Sequence, residues 1–74
     1  MARDEDDFVK EGRITFDPNI MGGRACIRGM RITVALILNL VANGMTTEEI
    51  IWAYPYLEPE DIRQALCYAT EKMQ

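Results

Sequence analysis

Hydrophobic positions along the chain alternate at first and take a helical period later. In "RITF", residues 13–16, Ile14 and Phe16 fall on one side and Arg13 and Thr15 on the other, an alternation that predicts a short strand. "DPNIMGG" supplies turn chemistry, with Asp17-Pro18 to open it and Gly22-Gly23 to accept positive φ. "RACIR", residues 24–28, alternates again, with Ala25 and Ile27 on one face and Arg24, Cys26 and Arg28 on the other. Two short strands joined by a loop follow from this, a hairpin-like segment whose mutual pairing is left open.

From residue 33 the spacing becomes helical. Thr33 suits an N-cap and Gly44 the position just past a C-terminus, predicting a helix over 34–43. Val34, Ile37, Leu38 and Val41 form one stripe, Leu36 and Leu40 lie beside it, and only Asn39 and Asn43 are polar. A helix this apolar on most sides needs cover from several directions. Thr46 followed by Glu49 has the capping-box spacing and starts a helix over 47–54, stopped by Pro55. Ile50, Ile51 and Tyr54 give it an inner side. Trp52, about 200° around from Ile50, points elsewhere. Pro59 at a first-turn position, with Glu60 and Asp61 matching the positive end of the dipole, opens a third helix over 59–72. Ile62, Ala65, Leu66, Ala69 and Met73 make its apolar stripe. The pattern predicts a mainly α, three-helix domain over 13–74 with a small β appendage, behind an acidic, solvated lead-in over 1–12. Helices two and three, separated by "PYLE", are compatible with a helix-turn-helix.

Size sharpens one expectation. A chain of 74 residues with 49% hydrophobic residues has much apolar surface and little interior. A homodimer is expected, its seam formed by Leu36, Ile37 and Leu40 of helix one together with Trp52. The two cysteines, 41 residues apart without a CxxC, fit free thiols. No run is long enough to cross a bilayer and the first residues lack a signal-like apolar core, so a cytoplasmic protein without membrane contact is expected.

Catalysis is not expected. The chain has no histidine and no serine, which removes the usual nucleophile–base pairs. "GGRACIRG" lacks the Gly-Lys-Ser/Thr ending of a phosphate-binding loop. Cys26 sits between arginines, a setting that suits a reactive thiol, yet an inert half-buried cysteine is the simpler reading. The acidic clusters are read as a solvated tail (Asp4, Glu5, Asp6, Asp7) and helix-start charges, not as metal ligands. No cofactor is expected.

Charge distribution is more informative than the net value of −4. Residues 13–31 sum to +3 whereas residues 32–62 sum to −5, so a basic segment is set into an acidic body. Three uses compete for it. Arg24, Arg28 and Arg31 grip phosphates while Arg63 and Gln64 on helix three reach base edges. Against this, Glu58, Glu60 and Asp61 at the start of helix three would meet phosphates. Alternatively the arginines pair with carboxylates on a partner protein. In the third use they bridge to this chain's own acids, for example Glu48 or Glu49.

The blocks "DPNIMGGRACIRGMRITV", "TTEEI", "YPYL" and "EDIRQALCYA" occur in the order that characterises the prokaryotic domain-of-unknown-function family 433, which residues 13–69 resemble. Met30, where a small or hydroxyl residue is common, and Glu58, where a capping threonine is common, depart from it. The resemblance implies a helix-turn-helix fold. It further implies an antitoxin of a type II toxin–antitoxin pair whose usual neighbour is a PIN-like ribonuclease, while operator DNA is a further target expected from the arginines. An assembly module without a DNA role is the alternative.

Overall fold

The computed structural model describes residues 12–73. The acidic lead-in expected over 1–12 therefore lies, except for Gly12, outside the described residues, as does Gln74. The order is β1 (Ile14–Thr15), a 3-10 turn (Met21–Gly23), β2 (Cys26–Ile27), α1 (Val34–Ala42), α2 (Thr47–Ala53) and α3 (Pro59–Lys72). This is the predicted three-helix domain with a short N-terminal hairpin, each helix ending within one residue of its expected bound.

β1 and β2 pair antiparallel, Ile14 opposite Ile27 and Thr15 opposite Cys26. Asp17 organises the connection: its Oδ1 accepts from the Asn19 N–H at 2.9 Å and its carbonyl from the Ile20 N–H at 2.8 Å. The predicted alternation in "RACIR" fails at Cys26, which is buried together with Ile27. The reason is a third segment. Cys26 also bridges to Thr33, so both sides of the strand are covered. The chain returns to Thr33 through a tight turn in which Arg28 (φ 46°) and Gly29 (φ 71°) both have positive φ and the Met30 N–H donates to the Ile27 carbonyl at 2.8 Å. Two successive left-handed residues match a type I′ hairpin turn. At Arg28 that conformation is strained for a residue with a β-carbon, and the contacts of its side chain, below, must hold it.

The helices start where local chemistry satisfies their first N–H groups. Thr33 Oγ1 accepts from the Leu36 N–H at 3.0 Å. At α2 both halves of the capping box form: Thr46 Oγ1 accepts from the Glu49 N–H at 3.1 Å and Glu49 Oε1 from the Thr46 N–H at 2.8 Å. α1 is closed by Gly44 at φ 91°, whose N–H donates to the Val41 carbonyl. Gly44→Ala is expected to destabilise the domain by about 1 kcal/mol, because alanine is disfavoured at positive φ; urea denaturation measures it, and an unchanged midpoint would show that the turn relaxes freely.

α1 and α2 both pack on α3. The core is largely isoleucine: Ile14, Ile27, Ile32, Ile37, Ile50 and Ile62, with Val34, Leu57 and Ala65. One strand residue from each side of the hairpin thus meets one face of every helix. The stripe predicted along α3 holds for Ile62 and Ala65, which are buried, and for the half-buried Leu66 and Ala69, but Met73 at its end is exposed. No helix among the described residues is long and apolar enough to cross a membrane.

Candidate functional site

The arginines divide into two kinds. Arg28 is turned inward against Asp61 on the first turn of α3. Its Nε lies 3.1 Å from Asp61 Oδ1, and its Nη2 donates to Asp61 Oδ2 at 2.9 Å and to the Tyr56 carbonyl at 2.7 Å. Arg13, from the residue before β1, joins the same carboxylate, with Nη1 2.7 Å from Asp61 Oδ1 and 3.0 Å from Glu58 Oε1. The Glu58 N–H donates to Asp61 Oδ2 at 2.8 Å. Asp61 is 0% exposed. A carboxylate that deep is tolerated because bidentate and single guanidinium contacts and a backbone N–H satisfy both oxygens. Burial pushes the Asp61 pKa up, but Arg28, the Glu58 N–H and Arg13 together more than offset this and leave it below the ordinary value.

This cluster gives Arg28 an internal role that the expected outside contact did not include. Its guanidinium holds the β2–α1 turn onto the start of α3, while its side chain keeps 35% exposure. Internal bridging is the use found for it, with Asp61 as the acid in place of Glu48 or Glu49. Glu49 is occupied in its capping box. Sequence reasoning missed Arg13 and Asp61 as partners and read Asp61 only as a dipole charge.

Two candidates fall away as outside contacts. Gln64 is 3% exposed, with Nε2 donating to Glu60 at 2.9 Å, so it does not reach base edges. Ile37 is 0% exposed inside the chain's own core and cannot form a seam. Arg63 is exposed but engaged by Glu60, Nε to Oε1 at 3.0 Å. Arg63 and then Gln64 hold the Glu60 pKa down at about 2. Among the described residues, α3 therefore opens with Glu58, Glu60 and Asp61, each contacting arginine from within the chain.

What is left for an outside partner is apolar surface beside Arg24 and Arg31, which are exposed and have no ion pair among the described residues. Arg31 borders a groove of about 480 Å³ formed with Met30, Ile32, Leu36, Tyr54 and Tyr56. Arg24 borders another, of about 460 Å³, between the start of α1 and the end of α3, where Ala35, Leu38, Ala69 and Met73 give a nearly all-apolar lining. Leu36 lines the first groove and Leu40 packs half-buried against the core. Trp52 is 87% exposed on α2. Cys26 and Cys67 are free thiols, the former buried. No group of His, Cys, Asp and Glu among the described residues is arranged to hold a metal ion.

Comparison with known proteins agrees with this architecture. The family model described as "Protein of unknown function (DUF433)" matches residues 14–69. The uncharacterized protein y4eO of Sinorhizobium fredii (strain NBRC 101917 / NGR234) is 39% identical over 56 residues, 76% of this chain and 25% of that protein. The crystal structure of a DUF433 member protein from Anabaena variabilis ATCC 29413 superposes with a TM-score of 0.77 at 30% identity, over 88% of this chain and 66% of that one. The chain thus spans a quarter of the length of the first relative and just under two thirds of the second. Its hairpin, three helices and matched residues place this chain in the DUF433 family.

Proposed function

We propose that this domain is an antitoxin-type binding protein that engages an acidic partner, a PIN-like ribonuclease, through the groove bordered by Arg31. The observation that carries this reading is the company Arg31 keeps. A cation with no ion pair among the described residues stands over an apolar floor with two tyrosines, Tyr54 and Tyr56, and arginine and tyrosine are the side chains that most often dominate binding energy at protein interfaces. A nuclease of that kind concentrates carboxylates to hold divalent metal, and a guanidinium can pair with them bidentately. The locked Arg13–Arg28–Asp61 cluster supports the reading indirectly, because it fixes the turn from which Arg31 projects.

Co-expression with a PIN-like ribonuclease, the adjacent gene's product where that gene encodes one, tests this. A stable complex is expected, and Arg31→Glu is expected to weaken it at least tenfold, about 1.4 kcal/mol. Tyr56→Ala should act in the same direction without unlocking Arg28, which uses only the Tyr56 carbonyl. Full neutralisation by both variants would remove the groove from the reading. Operator DNA is a weaker second target, resting on Arg24 and Arg31 alone. Retardation of the upstream promoter fragment that falls steeply with salt would support it.

A further inference from the structure

Beyond partner binding, we propose that two copies of this chain associate through the other groove, each seating its Trp52 between the start of α1 and the end of α3 of its partner. Both halves of such a contact are on the surface of one molecule. Trp52 is a large apolar side chain left almost wholly in water. Glu48, four residues earlier, shares its helix face, is exposed, and has no ion pair among the described residues. The groove offers the complement. Its walls are mainly apolar, its volume of about 460 Å³ is ample for an indole, and two cations, Arg24 and Lys72, stand at its edge. An aromatic beside an acid meets an apolar cleft beside a base.

The topology allows the contact to be reciprocal. Trp52 lies near the end of α2, seven residues before α3 begins at Pro59, whereas Ala69 and Met73 bring the groove to the end of α3. These sites are separated along a 14-residue helix about 21 Å long. A two-fold axis across the middle of α3 sets the two copies of that helix antiparallel, so each Trp52 end adjoins the partner's groove end. Two equivalent contacts then close a dimer, with no free surface left to propagate a fibre. This seam uses Trp52 as the sequence suggests, but pairs it with Ala35 and Leu38 in place of Leu36, Ile37 and Leu40.

Analytical ultracentrifugation of the full chain over a range of concentrations tests the proposal. The native chain should dimerise. Trp52→Ala should weaken dimerisation about thirtyfold, as loss of a central aromatic anchor does. Ala35→Glu should also break it; Ala35 is exposed in the first turn of α1, where an acid favours the helix, so the fold is retained. Arg24→Glu and Glu48→Arg should each weaken association, and the two together should restore it at least in part. A native chain that stays monomeric throughout overturns the proposal, as does a dimer indifferent to Trp52→Ala and Ala35→Glu, or a charge swap no better than its worse parent. Arg31→Glu should leave dimerisation unchanged, which separates this result from failure of the toxin contact.

Discussion

Replacing Asp61 with alanine is expected to cost about 3 kcal/mol, the low end of the range for breaking a buried ion pair by removing one partner. Three groups lose an acceptor at once: Arg13, which keeps only Glu58, Arg28, which keeps only the Tyr56 carbonyl, and the Glu58 N–H. The loss stays at the low end because the two arginine side chains retain 24% and 35% exposure and can rehydrate. A domain of 74 residues has a total stability of roughly 4–11 kcal/mol, so this one side chain supports a large share of it. Arg28 adds a second consequence. Its positive φ is held by the guanidinium contacts, so releasing them lets the β2–α1 turn relax as well. Urea denaturation at neutral pH is the measurement. A loss below about 1 kcal/mol, the scale of an exposed pair, would show that the cluster is a surface feature.

How much of this the sequence discloses depends on the range of each interaction. The helices are legible because their starts are local: Thr33 reaches Leu36, Thr46 and Glu49 reach each other, and Pro59 needs no N–H partner in the first turn. Asp61 is not legible in the same way. Its two arginines lie 33 and 48 residues away, and no periodicity links positions that far apart. A carboxylate at the third position of a helix looks like a dipole charge whether or not an arginine later descends on it. Cys26 misleads for a related reason, since a strand alternates only while one side faces water, and Thr33 closes that side. The "RG" of "IRGMRI" is the local signal that was available: a residue followed by glycine between apolar neighbours fits a tight hairpin turn.

The apolar character of α1 was legible in kind but not in degree. Val34 and Ile37 are buried by the chain itself, while Leu36, Leu38, Leu40 and Val41 are only half covered. The segment is neither enclosed by its own molecule nor bare. Its uncovered flanks are the walls of the two grooves, Leu36 in one and Leu38 in the other. The arginines sort in parallel: Arg13, Arg28 and Arg63 pair with acids of the chain itself, and Arg24 and Arg31 stand beside those walls. The two contacts proposed above are placed where apolar cover and charge pairing both stop short.

Acid should undo the domain through the same cluster. Asp61 has a folded-state pKa below its ordinary value, because the Arg28, Glu58 and Arg13 hydrogen bonds outweigh the upward push of burial. A group of this kind adds stability that is complete above its unfolded pKa of about 3.9. That stability disappears as pH falls through the lower folded pKa, where the native state must also take up the proton. Glu60, held at about 2 by Arg63 and Gln64, acts in the same direction, but its pair is largely exposed and contributes little. Thermal unfolding followed from pH 7 downward should thus show a flat region, then a steady fall beginning below about pH 5. Converting the whole cluster to apolar residues, Arg13→Met, Arg28→Met and Asp61→Leu together, leaves no buried charge behind and is expected to cost less at pH 7 than Asp61→Ala, the remaining loss coming from the Glu58 N–H and the positive-φ turn at Arg28. That triple variant should also lose most of the acid slope. If it keeps the native slope, the proton is taken up elsewhere and Asp61 is not the acid-sensitive lock. If it unfolds at pH 7, the three charges specify the approach of the hairpin to α3 in a way that apolar packing cannot replace.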